Sequence, residues 1–242
     1  MASKIIVDQV QKSGLTALTL PTGNASASEF LQNDGAGALS WASAGGGLAG
    51  VQVYTAGGTW TKATRESALG VTIAKVLVEV QGGGAGGARD ATGAEQIGGS
   101  AGGYARKFLD VSSISTSTIT IGAAGAGSTS NNTAGADGGD SSWADGTNTI
   151  SGLKGVGGNT SNTRTVGGLG TGGDINIQGG SGGVAINGQA GSSQFGHGGQ
   201  NWSVVDAQND ATGYGAGGGA MEYSGGDGGD GTAGIVIVWE FK

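Results

Sequence analysis

The sequence predicts a mostly β and irregular fold, with a small β-sheet base carrying a stack of polyglycine II helices behind a short β-rich N-terminal module. Three observations lead there. Of 242 residues 57 are glycine, arranged in short blocks such as Gly82-Gly83-Gly84-Ala85-Gly86-Gly87, Gly98-Gly99-Ser100-Ala101-Gly102-Gly103 and Gly225-Gly226-Asp227-Gly228-Gly229, without a strict period and without a continuous linker. Only glycine lets two backbones lie side by side with no Cβ between them. Apolar runs flank the blocks, and charged residues are 12% of the chain, too few for a self-repelling disordered segment. A threefold extended helix makes no internal hydrogen bonds, so its N–H and C=O groups must pair with neighbouring helices. Residues 82–234 are therefore expected to pack as left-handed helices rising about 3.1 Å per residue.

The elements follow in order. Residues 1–44 hold an alternating segment (Ile6-Val7-Asp8-Gln9-Val10-Gln11), a second apolar run at 15–20 and a turn signal at Asn33-Asp34-Gly35. Short strands with a hairpin turn are the reading. So small a β unit depends on copies of itself or on a larger assembly, and a trimer is expected. Residues 45–50 read as a glycine joint, and residues 51–242 as one glycine-rich domain. Within it, Val76, Val78 and Val80 share one face of a strand, residues 104–111 and 117–121 form two more, and the apolar run Ile235-Val236-Ile237-Val238-Trp239 reads as a central strand. The glycine-rich residues 122–234 are expected to be tied at both ends into one small sheet. No helix is expected, because each glycine costs about 1 kcal/mol relative to alanine in a helix and the one candidate, residues 64–68, is short.

Several function classes fall away. There is no cysteine, hence no disulfide framework or thiolate site, and one histidine, His197, cannot form a two-imidazole site. No apolar run is long enough to span a bilayer as a helix. A net charge of −7 argues against nucleic acid as partner. The chain is expected to be soluble, with no membrane insertion.

Four motifs have the residue types of chemistry. The block at 82–87 has the G-x-G-x-x-G spacing of a dinucleotide fingerprint, but no helix follows to hold a pyrophosphate, so a structural role is favoured. Residues 225–232 approach a calcium β-roll repeat without stacked copies of it. Asp137, Asp140 and Asp145 lie close in sequence, and turns are favoured over a cation site. His197, among glycines, reads as a loop residue. No catalytic constellation remains, so the expectation is a non-enzyme without cofactors. The aromatics divide. Trp60, Trp143 and Trp239 read as core or hinge packing, whereas Phe195, Trp202, Tyr214 and Tyr223 sit in polar insertions between glycine blocks, the composition of a recognition surface.

The order Val76-Leu77-Val78-Glu79-Val80-Gln81-Gly82-Gly83-Gly84, Gly98-Gly99-Ser100-Ala101-Gly102-Gly103-Tyr104, Ile119-Thr120-Ile121-Gly122, Gly172-Gly173-Asp174-Ile175-Asn176-Ile177 and Gly231-Thr232-Ala233-Gly234-Ile235-Val236 resembles the glycine-rich domain of bacteriophage tail-fibre and receptor-binding adhesins. The resemblance covers residues 51–242; residues 4–41 resemble N-terminal segments of phage tail proteins. It implies a polyglycine II sandwich with receptor-binding loops at its far end and a location on the virion tail after synthesis in the host bacterial cytoplasm. Its implied partners are other tail proteins and a bacterial surface receptor, an outer-membrane protein or a polysaccharide. Residues 1–44 would then attach to the virion. The receptor contacts expected are Phe195, His197, Asn201, Trp202, Asp206, Met221 and Tyr223. A virion structural or decoration protein without receptor activity shares the scaffold and is the alternative.

Overall fold

A computed structural model describes residues 9–10, 17–26, 29–36, 38–43, 46–90, 96–161, 163–183, 189–200, 209–222 and 226–242. The chain divides into two compact units, Met1–Leu48 with Lys242, and Ala49–Phe241.

In the first unit, β1 (Gln9–Val10) pairs with β2 (Leu18–Thr19), and β3 (Glu29–Asn33) pairs antiparallel with β4 (Leu39–Ser43). The expected hairpin turn is present. The Asp34 carboxylate accepts from the N–H groups of Ala36 (2.7 Å) and Ala38 (3.0 Å), and Gly35 takes the positive φ of 82° that the bend requires. Trp41 Nε1 donates to the Gly23 carbonyl at 2.6 Å, tying the hairpin to the preceding loop.

The second unit opens within β5 (Leu48–Tyr54), followed by β6 (Gly58–Thr61), α1 (Lys62–Leu69), β7 (Lys75–Gln81) and β8 (Arg89–Asp90). It continues through β9 (Tyr104–Asp110), β10 (Thr116–Thr120), β11 (Ser141–Ala144), β12 (Thr149–Gly152), β13 (Gly170–Thr171) and β14 (Ile175–Ile177). It ends with β15 (Phe195–His197), β16 (Thr212–Tyr214), β17 (Met221–Glu222) and β18 (Ile235–Phe241). Two five-stranded sheets, in the orders β13-β12-β11-β10-β6 and β14-β9-β7-β18-β5, enclose one core. Val76, Val78 and Val80 of β7 and Val236 and Val238 of β18 face Trp60, Ile119, Trp143 and Ile150 across it, and the two indoles meet at 5.3 Å. Residues 122–234 are thus tied at their two ends into two different sheets, where sequence predicted one; β10 and β18 lie on opposite sides of the core.

Two further expectations are corrected. Residues 48–50, read as joint, begin β5. Residues 62–69 form an eight-residue helix, closed by Gly70 at φ 67°. Tertiary contacts outweigh its weak intrinsic signal. Arg65 makes paired bonds of 2.9 and 2.8 Å to the fully buried Glu240 carboxylate, which also accepts from Trp60 Nε1 at 2.9 Å, and Glu66 accepts from the Ile73 N–H.

The outward faces of the two sheets differ. On the β10 sheet the outward register is Thr59, Thr118, Ala144 and Thr149, with Thr120, Ser142, Ser151 and Thr171 in the next row, the threonines Thr59, Thr118, Thr120, Thr149 and Thr171 exposed and the others half-buried. On the β7 sheet the outward row is Trp239, Leu77 and Phe108, followed by Ile237, Glu79, Arg106 and Ile175. Phe241 and Phe108 touch edge to face at 5.7 Å, and Glu79 accepts from Tyr104 Oη (2.5 Å) and Trp239 Nε1 (2.7 Å).

Beyond the sheets the strands run straight on into glycine helices. Residues 82–88 extend β7, 122–128 follow β10 and 153–158 follow β12, while 97–103, 133–139 and 228–234 lead back into β9, β11 and β18. The helix at 82–89 sits at the centre. Its N–H groups rotate through three partners. Gly82, Ala85 and Ala88 donate to Gly103, Ser100 and Ile97; Gly83, Gly86 and Arg89 donate to Gly139, Ala136 and Thr133; Gly84 and Gly87 donate to Thr232 and Gly229. Its carbonyls rotate likewise. Gly83 and Gly86 accept from Gly155 and Gly158, Gly84 and Gly87 from Gly125 and Ser128, and Ala85 and Ala88 from Gly218 and Met221. These bonds span 2.8 to 3.3 Å, and the three-residue rotation is that of a polyglycine II helix with six neighbours. Glycine serves close approach here. A Cβ at Gly84, Gly87, Gly122 or Gly218 would fall well inside 3.0 Å of a neighbouring carbonyl oxygen, although none of these four has positive φ.

Candidate functional site

The hydrogen-bond register fixes which connections share an end of the stack. Ala88, Ile97, Ser128, Thr133, Gly158, Met221 and Gly228 are bonded into one level, farthest from the sheets. The connections at 129–132, 159–164 and 222–227 leave from that level, as does the one at 90–96. The described part of this tip is polar, with exposed Asn131, Ser161 and Thr163. Asn132 holds a positive φ of 54°, and Asn159 accepts from the Ser161 N–H at 3.0 Å, both turn chemistry.

Arg89 ties the tip together. Its N–H and carbonyl both pair with Thr133, its guanidinium donates to the Thr129 carbonyl at 2.8 Å, and it forms an ion pair with Asp227. Beside it β8 and β17 pair in parallel, Met221 with Arg89 and Glu222 with Asp90. Sequence reasoning missed Arg89, although it is the first charged residue after a glycine block that directly follows a strand.

The predicted contact residues separate. Phe195 and His197 lie in a hairpin with Tyr214 and Thr212 at the opposite, sheet-proximal end. The Phe195 ring packs edge-on against Tyr104 at 5.7 Å, and the adjacent Gln194 N–H donates to Gln81, the last residue of β7. The chain returns towards the sheets before residue 195 and rises again after it, which glycine spacing alone does not reveal. Met221 is at the tip level but buried, 3% exposed, so its side chain is withdrawn from the surface. Asn201, Trp202, Asp206 and Tyr223 lie outside the described residues. The residues flanking the first three are placed: Gln200 lies against Gly219, and Asn209 accepts from the Gly219 N–H at 2.7 Å, three residues from the β-bridge linking Glu222 to Asp90.

The other motifs resolve through backbone bonding. Every N–H from Gly82 to Gly87 is spent on a neighbouring carbonyl, leaving no free donor cradle for a phosphate. Asp145 closes a turn with Thr147 and Asn148 as expected; burial pushes its carboxyl up, and these bonds together outweigh it and hold the group below the usual carboxylate range. Asp140 and Asp137 do something else. They accept from the N–H groups of Lys154 (2.7 Å) and Gly157 (2.8 Å), filling the place of a missing helix at the flank of the stack. The Lys154 side chain and the Gly157 N–H hold the Asp137 carboxyl below its ordinary range. Asp230 caps Gly127 in the same way at 2.7 Å. Among the described residues, no group of three or more His, Asp or Glu side chains is placed to hold a metal ion.

No curated protein matches the chain. A family model described as a glycine-rich domain matches residues 66–239, from within α1 through the whole stack to the last strand, and the chain belongs to that glycine-rich domain family.

Proposed function

We propose that this protein is a phage tail-fibre or tail-tip adhesin, non-enzymatic, that recognises a bacterial surface component through loops at the tip of its glycine stack. The observation that carries the reading is the common end. A rigid, backbone-bonded scaffold returns the chain repeatedly to one level, and variable-length polar connections leave from it. Binding residues concentrate on loops positioned by rigid scaffolds. Trp202 and Tyr223 belong to connections whose placed ends, Gln200 with Asn209 and Glu222, lie beside Gly219 and Asp90; such rings offer large contact area at low entropic cost against a sugar face or an apolar protein loop, and Asn201 and Asp206 offer hydrogen bonds. Phe195, His197 and Met221 no longer belong to this set. Residues 1–44 attach the protein to other tail proteins as a homotrimer, and several copies on one particle strengthen weak single contacts.

The test is host adsorption by particles carrying Trp202→Ala with Tyr223→Ala, alongside the melting temperature of the purified chain. Adsorption falling at least tenfold with unchanged melting supports the reading. Unchanged adsorption with a lowered melting temperature makes the rings structural plugs and favours a virion structural or decoration protein.

A further inference from the structure

We infer that the outward face of the β7 sheet is a self-association surface, covered by a second copy of this chain. An antiparallel sheet with one face on the core ordinarily turns a polar face to water, and the β10 sheet does so with threonine and serine. The β7 sheet departs from this. Val51 (37% exposed), Val53 (58%), Phe108 (48%), Ile175 (41%) and Ile177 (42%) stand open on it, around a half-buried centre at Leu77 and Trp239. The side-chain assignments on the edge strand agree, since Tyr54 packs into the core and Val51 and Val53 alternate away from it.

Charge and area select the occupant. Lys75 stands opposite Asp110 and Glu79 opposite Arg106, so the charges on β7 and β9 pair off, with the Asp174 carboxylate beside the Phe108 N–H at the edge. The chain as a whole carries −7, which repels copies of itself over most of its surface. This face is much closer to neutral, and its paired charges can meet the same pairs on a second copy turned about a twofold axis. Five strands about 4.8 Å apart and about 3.3 Å per residue give a footprint on the order of 500 Å². That lies below the roughly 800 Å² per partner of a standard specific interface, and it compares with the largest patch on a typical monomer, about 300–600 Å², which is often functional. The Phe195 hairpin covers Tyr104 at one end of the face, which leaves the contact centred on Phe108 and its neighbours.

The inference rests neither on receptor binding nor on the trimer assigned to residues 1–44, because a self-complementary face joins chains two by two. Sedimentation velocity on the full chain at micromolar concentration tests it. The wild type is expected to be assembled, and Val53→Lys with Ile175→Lys, both on edge strands, to weaken association at least tenfold while the melting curve stays in place. Val53→Thr with Ile175→Thr keeps strand-forming residues and should shift association in the same direction by less, which serves if the lysine pair misfolds. Thr118→Lys, on the polar sheet, should change nothing. A monomeric wild type overturns the inference, and so does an assembly indifferent to both substituted pairs. Variants that stay assembled but lose host adsorption or particle incorporation would assign the face to a different partner and overturn it equally. Failure of the Trp202 and Tyr223 test leaves these readouts untouched, so the two ideas fail separately.

Discussion

The sandwich and the stack belong to one chain but are held together by opposite means. In the sandwich, side chains fill space: Trp60 and Trp143 meet at 5.3 Å, and valines from β7 and β18 close around them. In the stack, side chains are absent so that backbones can touch, and each helix is held by bonds to its neighbours at about the strand-like distance of 2.9 Å. Alanine marks the boundary of tolerance. Ala85, Ala88, Ala101 and Ala216 are fully buried among the glycines, each at a position where one methyl fits, while the adjacent glycines admit none. Stability in the first region should scale with buried apolar volume, and in the second with backbone separation.

Three perturbations break or sharpen this contrast. The largest is Gly218→Val. Its Cβ would overlap the Gly229 carbonyl, and backbone cannot yield as a side-chain end can, so the loss should exceed the ~5 kcal/mol at which single substitutions become exceptional. Soluble expression and thermal unfolding report it; a soluble, fully stable variant would sink the account of the stack. Next is Trp143→Ala in the sandwich, where deletion of a buried indole should cost about 3–5 kcal/mol in denaturant unfolding and leave the protein folded. A loss below about 1 kcal/mol would mean that the sheets do not share one core. The smallest is Asp137→Ala at the stack flank, which leaves the Gly157 N–H to water and should cost about 1 kcal/mol. The Asp137 carboxyl is held below its ordinary value when folded, so its contribution is present above the unfolded value and is lost as pH falls through the folded one. Wild type and variant should accordingly converge in stability at acid pH, and a gap that persists there would refute the capping role.

Local pattern made much of the fold legible. The alternation at Val76, Val78 and Val80 located a strand and its buried face, and the Asn33-Asp34-Gly35 cluster located a hairpin. The glycine blocks announced backbone contact because no other residue permits it. What escaped was set by distant partners. Helix α1 forms around the bond between Arg65 and Glu240, at the far end of the chain, and nothing within residues 62–69 signals that. Asp137 and Asp140 look like turn residues in sequence and act as substitutes for a missing helix, since only the lattice determines where its edge lies. The candidate site was half legible for the same reason. Composition singled out aromatic insertions, but the direction of each helix decides the end they reach, and Phe195 and Met221 turned out to be packed against the scaffold.

The central helix also dictates when this domain can fold. Gly84 and Gly87 donate to Thr232 and Gly229, and β7 pairs along its length with β18, so the first strand and helix of the stack are completed only by the last. Until residues 229–232 are made, the Gly84 and Gly87 N–H groups lack their partners, with no internal bonds to fall back on. Such non-local pairing carries a high loop-closure cost and slow folding. This domain is therefore built to close late, once β18 has been made, with that strand acting as a zip for the helices synthesised before it.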